Sequence, residues 1–174
     1  EAVIQEAEKR YGEFAQSDLI EIFRAGNEAA KKFNDSKGLN KDTINYRDFD
    51  LFSATTSFVL IKNGRAYWWS LCDSGVTALD AEGKMFFQSP PDWPERQQTK
   101  DQIRLMHPEE TELNKLLRRQ YRNAIDAGGK AIGYGVVTGE KEAEAYLHTG
   151  AFDIKKGDLI LAYTDGYEDY VNVP

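Results

Sequence analysis

The sequence predicts an α+β fold in which mainly antiparallel sheets carry helices on their outer faces. Helical periodicity is confined to two places, residues 3–34 and the stretch opening at residue 108. Period-2 runs rich in β-branched and aromatic residues fill most of the rest and follow one another through short turns. The strand–helix–strand alternation of a doubly wound parallel sheet is absent. The chain's 174 residues fit one domain, and 41% hydrophobic residues, with 12% aromatic, give it material for a core.

Each element has a local reason. Val3, Ile4, Ala7, Tyr11 and Phe14 recur at helical spacing and predict a first helix, with Gly12 weakening its end. Ser17 is placed to cap a second helix whose first turn carries Asp18 and Glu21. Leu19, Ile22, Phe23, Gly26, Ala30 and Phe33 form its inward stripe, and residues 34–38 end it. Residues 39–50 read as a loop. A strand follows over 55–62, then the Asn63-Gly64 hairpin turn and a returning strand over 65–73. A second hairpin joins 75–79 to 84–88. Three prolines and many charges make 89–106 a surface excursion. A third helix opens at Pro108-Glu109-Glu110, turns Leu113, Leu116, Leu117, Gln120, Tyr121, Ala124 and Ile125 inward, and stops at Gly128-Gly129. Strands are expected over 131–138, 142–149 and 158–163.

The charge balance narrows the partners. Twenty-nine acidic against 22 basic residues give a formal charge of −7, which argues against a nucleic-acid or anionic-membrane surface. The longest apolar runs, at 58–61 and 159–163, are strand-sized and far short of a membrane span. The first residues carry no basic segment of the kind that opens a signal peptide. One cysteine, Cys72, excludes an internal disulfide and a Cys-based zinc cluster. The expectation is a soluble, cytoplasmic domain.

Several constellations invite a function and have a plainer reading. Gly133-Tyr134-Gly135 with Gly139 lacks the Lys-Ser/Thr ending of a phosphate loop and sits in a strand-like run, so a bulge or close backbone approach explains it better. His107 and His148 match no metal-ligand spacing. Cys72, beside Leu71, reads as buried packing rather than a reactive thiol. Trp68 and Trp69 are adjacent in a strand and must point to opposite faces, at least one of them into the core. Asp73 and Asp165 differ: each follows an apolar strand at a sheet rim, and Gly166 lets the chain turn sharply beside Asp165. Hard divalent cations find oxygen ligands in such places, although either Asp alone also reads as a turn residue.

The order of these motifs resembles a known family. Ser53-Ala54-Thr55-Thr56-Ser57-Phe58-Val59-Leu60-Ile61, the Asn-Gly turn and Leu71-Cys72-Asp73-Ser74-Gly75 resemble the metal-dependent Ser/Thr protein phosphatases (PPM type, protein phosphatase 2C). Gly135-Val136-Val137-Thr138-Gly139, Lys156-Gly157-Asp158-Leu159-Ile160-Leu161 and Thr164-Asp165-Gly166 are similar to the later part of that domain, in a form nearest its bacterial members. The resemblance covers residues 19–169.

It implies a four-layer α/β/β/α sandwich, here incomplete, with two or three Mn2+ or Mg2+ ions at one end activating water against phosphoserine or phosphothreonine of a phosphorylated protein. Asp165 matches a metal ligand of the family, and Asp73 matches an acidic residue that helps hold an additional, looser ion. The family's early Asp-Gly-x-Gly-Gly motif and its last acidic element have no counterpart here, and no arginine follows Asp73-Ser74. This stretch alone is therefore expected to lack a complete two-metal centre and to be inactive by itself. The alternative is a catalytically silent phosphatase-like module that binds a partner or phosphoprotein.

Overall fold

A computed structural model describes residues 1–46, 48–90, 101, 105 and 109–164. Helices α1 (Ala2–Arg10) and α2 (Asp18–Ser36) come first, joined by a 3-10 turn at Tyr11–Glu13. Strands β1 (Thr56–Lys62), β2 (Arg65–Leu71), β3 (Gly75–Leu79) and β4 (Met85–Gln88) follow. After α3 (Glu110–Leu116) come β5 (His148–Asp153) and β6 (Leu159–Tyr163). They form two antiparallel three-stranded sheets, ordered β1-β2-β5 and β4-β3-β6.

The layers follow from the alternation of β2. Trp69 faces α2: its ring stacks on Phe58 at 4.2 Å and meets Phe23 edge-on at 6.1 Å. Phe14, just before α2, meets Tyr67 on the same face at 5.0 Å. Trp68 points the other way, toward Phe87 of β4 at 5.2 Å, and Phe87 stacks on Phe152 of β5 at 4.2 Å. Both indoles are buried, at 5% and 1% exposure, as the period-2 reading requires. One face of the first sheet thus packs on α1 and α2 and the other on the second sheet. The Asn63-Gly64 turn is as expected, with φ of 51° and 74° matching a primed hairpin turn.

Some expectations fail for identifiable reasons. Ile4, Tyr11 and Phe33 are exposed rather than inward. The Ser17 side chain makes no capping bond; the Asp18 carboxylate accepts from the Ala15 amide at 2.7 Å instead. The third helix ends early: after one π turn at Leu117–Tyr121, Arg122 is extended and Asn123 has φ of 51°, leaving Ile125 exposed. Residues 131–138 form only isolated bridges, and Lys141–Tyr146 is a 3-10 helix before β5 begins at His148. Of the expected excursion at 89–106, only residues 89, 90, 101 and 105 are described. Trp93 and His107 lie outside the described residues.

Side chains of three buried asparagines supply partners to backbone groups of residues 136 and 138–140. Asn123 donates to Val136 O at 3.1 Å and accepts from Val136 N at 2.8 Å. Asn34 donates to Thr138 O at 2.9 Å, and Asn27 holds Gly139 N and Glu140 O at 2.8 Å each. The glycines of this stretch permit close approach, as the sequence suggested: a Cβ at Gly135 would lie 2.3 Å from Tyr146 Cβ. Buried backbone groups need such partners wherever a ladder is absent.

Gly150 gives the sandwich a specific test. It pairs with Trp68, and a Cβ there would fall 2.8 Å from Trp68 Cζ2. Because the indole is wedged against Phe87, Gly150→Ala should destabilise the fold by about 1–3 kcal/mol in urea unfolding, with the tryptophan fluorescence of the native state displaced.

Candidate functional site

Five strand ends meet at one edge of the sandwich. β1 begins at Thr56 opposite Leu71, where β2 ends, and β5 begins at His148 opposite Ser70. A tight turn at Cys72-Asp73 carries the chain into the second sheet, where Gly75 opens β3 opposite Tyr163, the end of β6. Ser57 Oγ ties β1 to β6 by donating to Tyr163 O at 3.2 Å. Asp73 thus lies just past the strand, in the turn rather than on β2. The carboxylate is half-buried, and its Oδ1 is inaccessible with no hydrogen-bond partner among the described residues. An orphaned carboxylate oxygen at a strand rim fits a cation ligand, because burial without a partner is costly.

Asp165 lies outside the described residues, which end at the exposed Thr164. Among the described residues, no three His, Cys, Asp or Glu side chains gather into a metal-holding group. His148 starts β5 and is half-buried. Cys72 is buried at 5% exposure, as expected, with φ of 62°. The left-handed region is unfavourable for a side-chain-bearing residue.

A second polar assembly escaped the sequence reading. Arg122, whose side chain is 3% exposed, donates to Asp50 Oδ1 at 2.8 Å and to the Tyr46 hydroxyl at 3.3 Å, and its guanidinium lies 5.2 Å from the Tyr46 ring centre. Arg118 reaches the other Asp50 oxygen at 3.1 Å, and Lys41 reaches Glu140 at 3.3 Å. Burial opposes the charge of Arg122 and Asp50 outweighs it, so its pKa is raised; burial pushes the Tyr46 hydroxyl up. These groups border a cleft of about 440 Å3 lined by Lys41, Arg118, Arg119 and Arg122 together with Asp42, Glu140 and Glu142. With Asp50 in contact, bases and acids balance, so the assembly clasps the loop over 46–50 to the chain after α3 rather than attracting anions. Asn27 and Asn34, seven residues apart on the inward side of α2, were the available signal for the neighbouring bonds to residues 138–140, since asparagine is a poor choice for a helix interior.

Two substitutions separate these roles. Arg122→Ala leaves Asp50 and Tyr46 without their buried partner and should cost about 3–5 kcal/mol in denaturant unfolding. At the rim, Cys72→Gly should stay within about 1 kcal/mol of the parent, whereas Cys72→Val, forced into the same φ, should lose about 1–3 kcal/mol.

No family model and no curated protein matches the chain by sequence. Solved structures match it by fold. The crystal structure of the catalytic domain of the serine/threonine protein phosphatase PstP in complex with two manganese ions superposes with a TM-score of 0.57 at 18% identity, covering 99% of this chain and 62% of that one. The crystal structure of the Mycobacterium tuberculosis serine/threonine phosphatase PstP/Ppp gives 0.58 at 17% identity, covering 99% and 63%. The chain spans under two thirds of the length of these phosphatase chains. Among the described residues, no helix is long and apolar enough to cross a membrane. The mixed helices and antiparallel sheets described above are therefore those of the PPM-type Ser/Thr phosphatase fold, the family whose motifs the sequence resembles.

Proposed function

We propose that residues 1–174 belong to one metal-dependent phosphoprotein phosphatase domain, whose parent protein uses Mn2+ or Mg2+ to hydrolyse phosphoserine or phosphothreonine, with Asp73 and Asp165 as metal ligands. The observation that carries this reading is the orphaned Asp73 Oδ1 at the rim where five strand ends meet, in a fold shared with a domain crystallised with two manganese ions. The Gly75–Tyr163 pair supports the partnership, since its two members stand two residues in sequence from Asp73 and from Asp165. When bound, paired divalent ions supply a water nucleophile and clamp the phosphoryl oxygens. The chain's own part is to fix the Asp73 carboxylate: the Cys72-Asp73 turn aims it, and the Gly75–Tyr163 ladder holds the backbone on one side.

A silent module that binds a partner or phosphoprotein is the second reading. Cys72-Asp73-Ser74-Gly75 favours it, because the arginine that follows Asp-Ser in the family is absent here.

Turnover of a phosphothreonine peptide with Mn2+, measured on the protein that carries this chain, separates the two. Asp165→Asn should lower kcat by orders of magnitude, because the nucleophile depends on the ions. Asp73→Asn should cost less, as it touches only the looser ion. Metal-dependent turnover that survives Asp165→Asn would refute the site assignment, and its absence from the parent protein would favour the silent module.

A further inference from the structure

Unsatisfied polar atoms cluster at the end of β2. Trp68 and Ser70 lie two residues apart and share the strand face that looks at the second sheet. Trp68 Nε1 and Ser70 Oγ are buried there with no hydrogen-bond partner among the described residues. Just past the strand, Asp73 Oδ1 and Ser74 Oγ are in the same condition. Ser70 is 1% and Ser74 6% exposed. His148 stands directly opposite Ser70 in the ladder and leaves its hydroxyl unbonded.

A buried hydroxyl without a partner is destabilising, and an alanine in its place would be neutral or better. Three oxygens in this state within five residues therefore point to partners other than the described side chains and backbone. Buried polar groups of this kind hold ordered water, and an all-oxygen set of hydroxyls and a carboxylate suits the hydration shell of a hard divalent cation.

We propose that Ser70 and Ser74 are positioning residues of the cation site that Asp73 anchors, holding ordered water between their hydroxyls and its carboxylate. This rests on the reading of Asp73 as a metal ligand. Outer partners of a ligand orient it and commonly change metal affinity about tenfold or more.

The test is calorimetric titration of Mn2+ alone into the protein that carries this chain and its variants, with metal-free thermal unfolding recorded alongside. Asp73→Asn should abolish the weaker Mn2+ site. Ser70→Ala and Ser74→Ala should each weaken that site about tenfold, and Ser74→Thr, which keeps the hydroxyl, should restore it. Unchanged Mn2+ affinity in both alanine variants, with a raised Tm, would overturn the proposal by showing the hydroxyls to be packing defects, and would leave the effect of Asp73→Asn standing. Mn2+ binding untouched by Asp73→Asn would instead remove Asp73 as a ligand, and this inference with it.

Discussion

Two adjacent indoles on one central strand fix the architecture. β2 lies between β1 and β5, and neighbouring residues on a strand must face opposite ways. Trp69 anchors the helical layer through Phe23, and Trp68 anchors the second sheet through Phe87. Aromatic side chains carry the largest apolar areas available to a core. The two interlayer spaces of the domain therefore depend on the same strand. The rim bearing Asp73 inherits its position from β2, since the turn at Cys72-Asp73 starts one residue past the strand's end.

The first two thirds of the fold were legible because their determinants are local. Asn63-Gly64 specifies its turn by the φ it tolerates, and β3 begins and ends where alternation places it. The stretch between α3 and β5 was not legible, because its geometry is set from elsewhere in the chain. Its apolar and β-branched residues read as a strand, yet its backbone bonds go to scattered backbone groups, to the Tyr146 hydroxyl and to the amides of Asn27, Asn34 and Asn123. The end of α3 is likewise decided by long-range partners: Asp50 and Tyr46 hold Arg122, and Val136 holds Asn123. Tertiary bonds of this kind override helical propensity.

At the candidate site the motif located Asp73, but not its state. Whether a carboxylate oxygen is satisfied depends on what the fold brings to it, and sequence spacing does not report that. Cys72 shows the same limit from the backbone side. Its burial followed from its apolar neighbours, whereas its φ of 62° is imposed by a turn that must cross from one sheet to the other within a few residues. A strained residue beside an orphaned buried carboxylate oxygen is a pattern associated with functional sites, where the surrounding structure over-determines the conformation.

The ladder between β2 and β5 has a further consequence for how the chain is made. Tyr67 pairs with Ala151, so the central strand waits for a partner more than eighty residues downstream. The β1–β2 hairpin closes through its own turn, but its second edge has no neighbour until the C-terminal part of the chain has been synthesised. Non-local pairings of this kind fold slowly and leave strand edges open in the interval. During that interval the segment Tyr67-Trp68-Trp69 is an apolar edge with only one flank covered, open to pairing with the wrong strand.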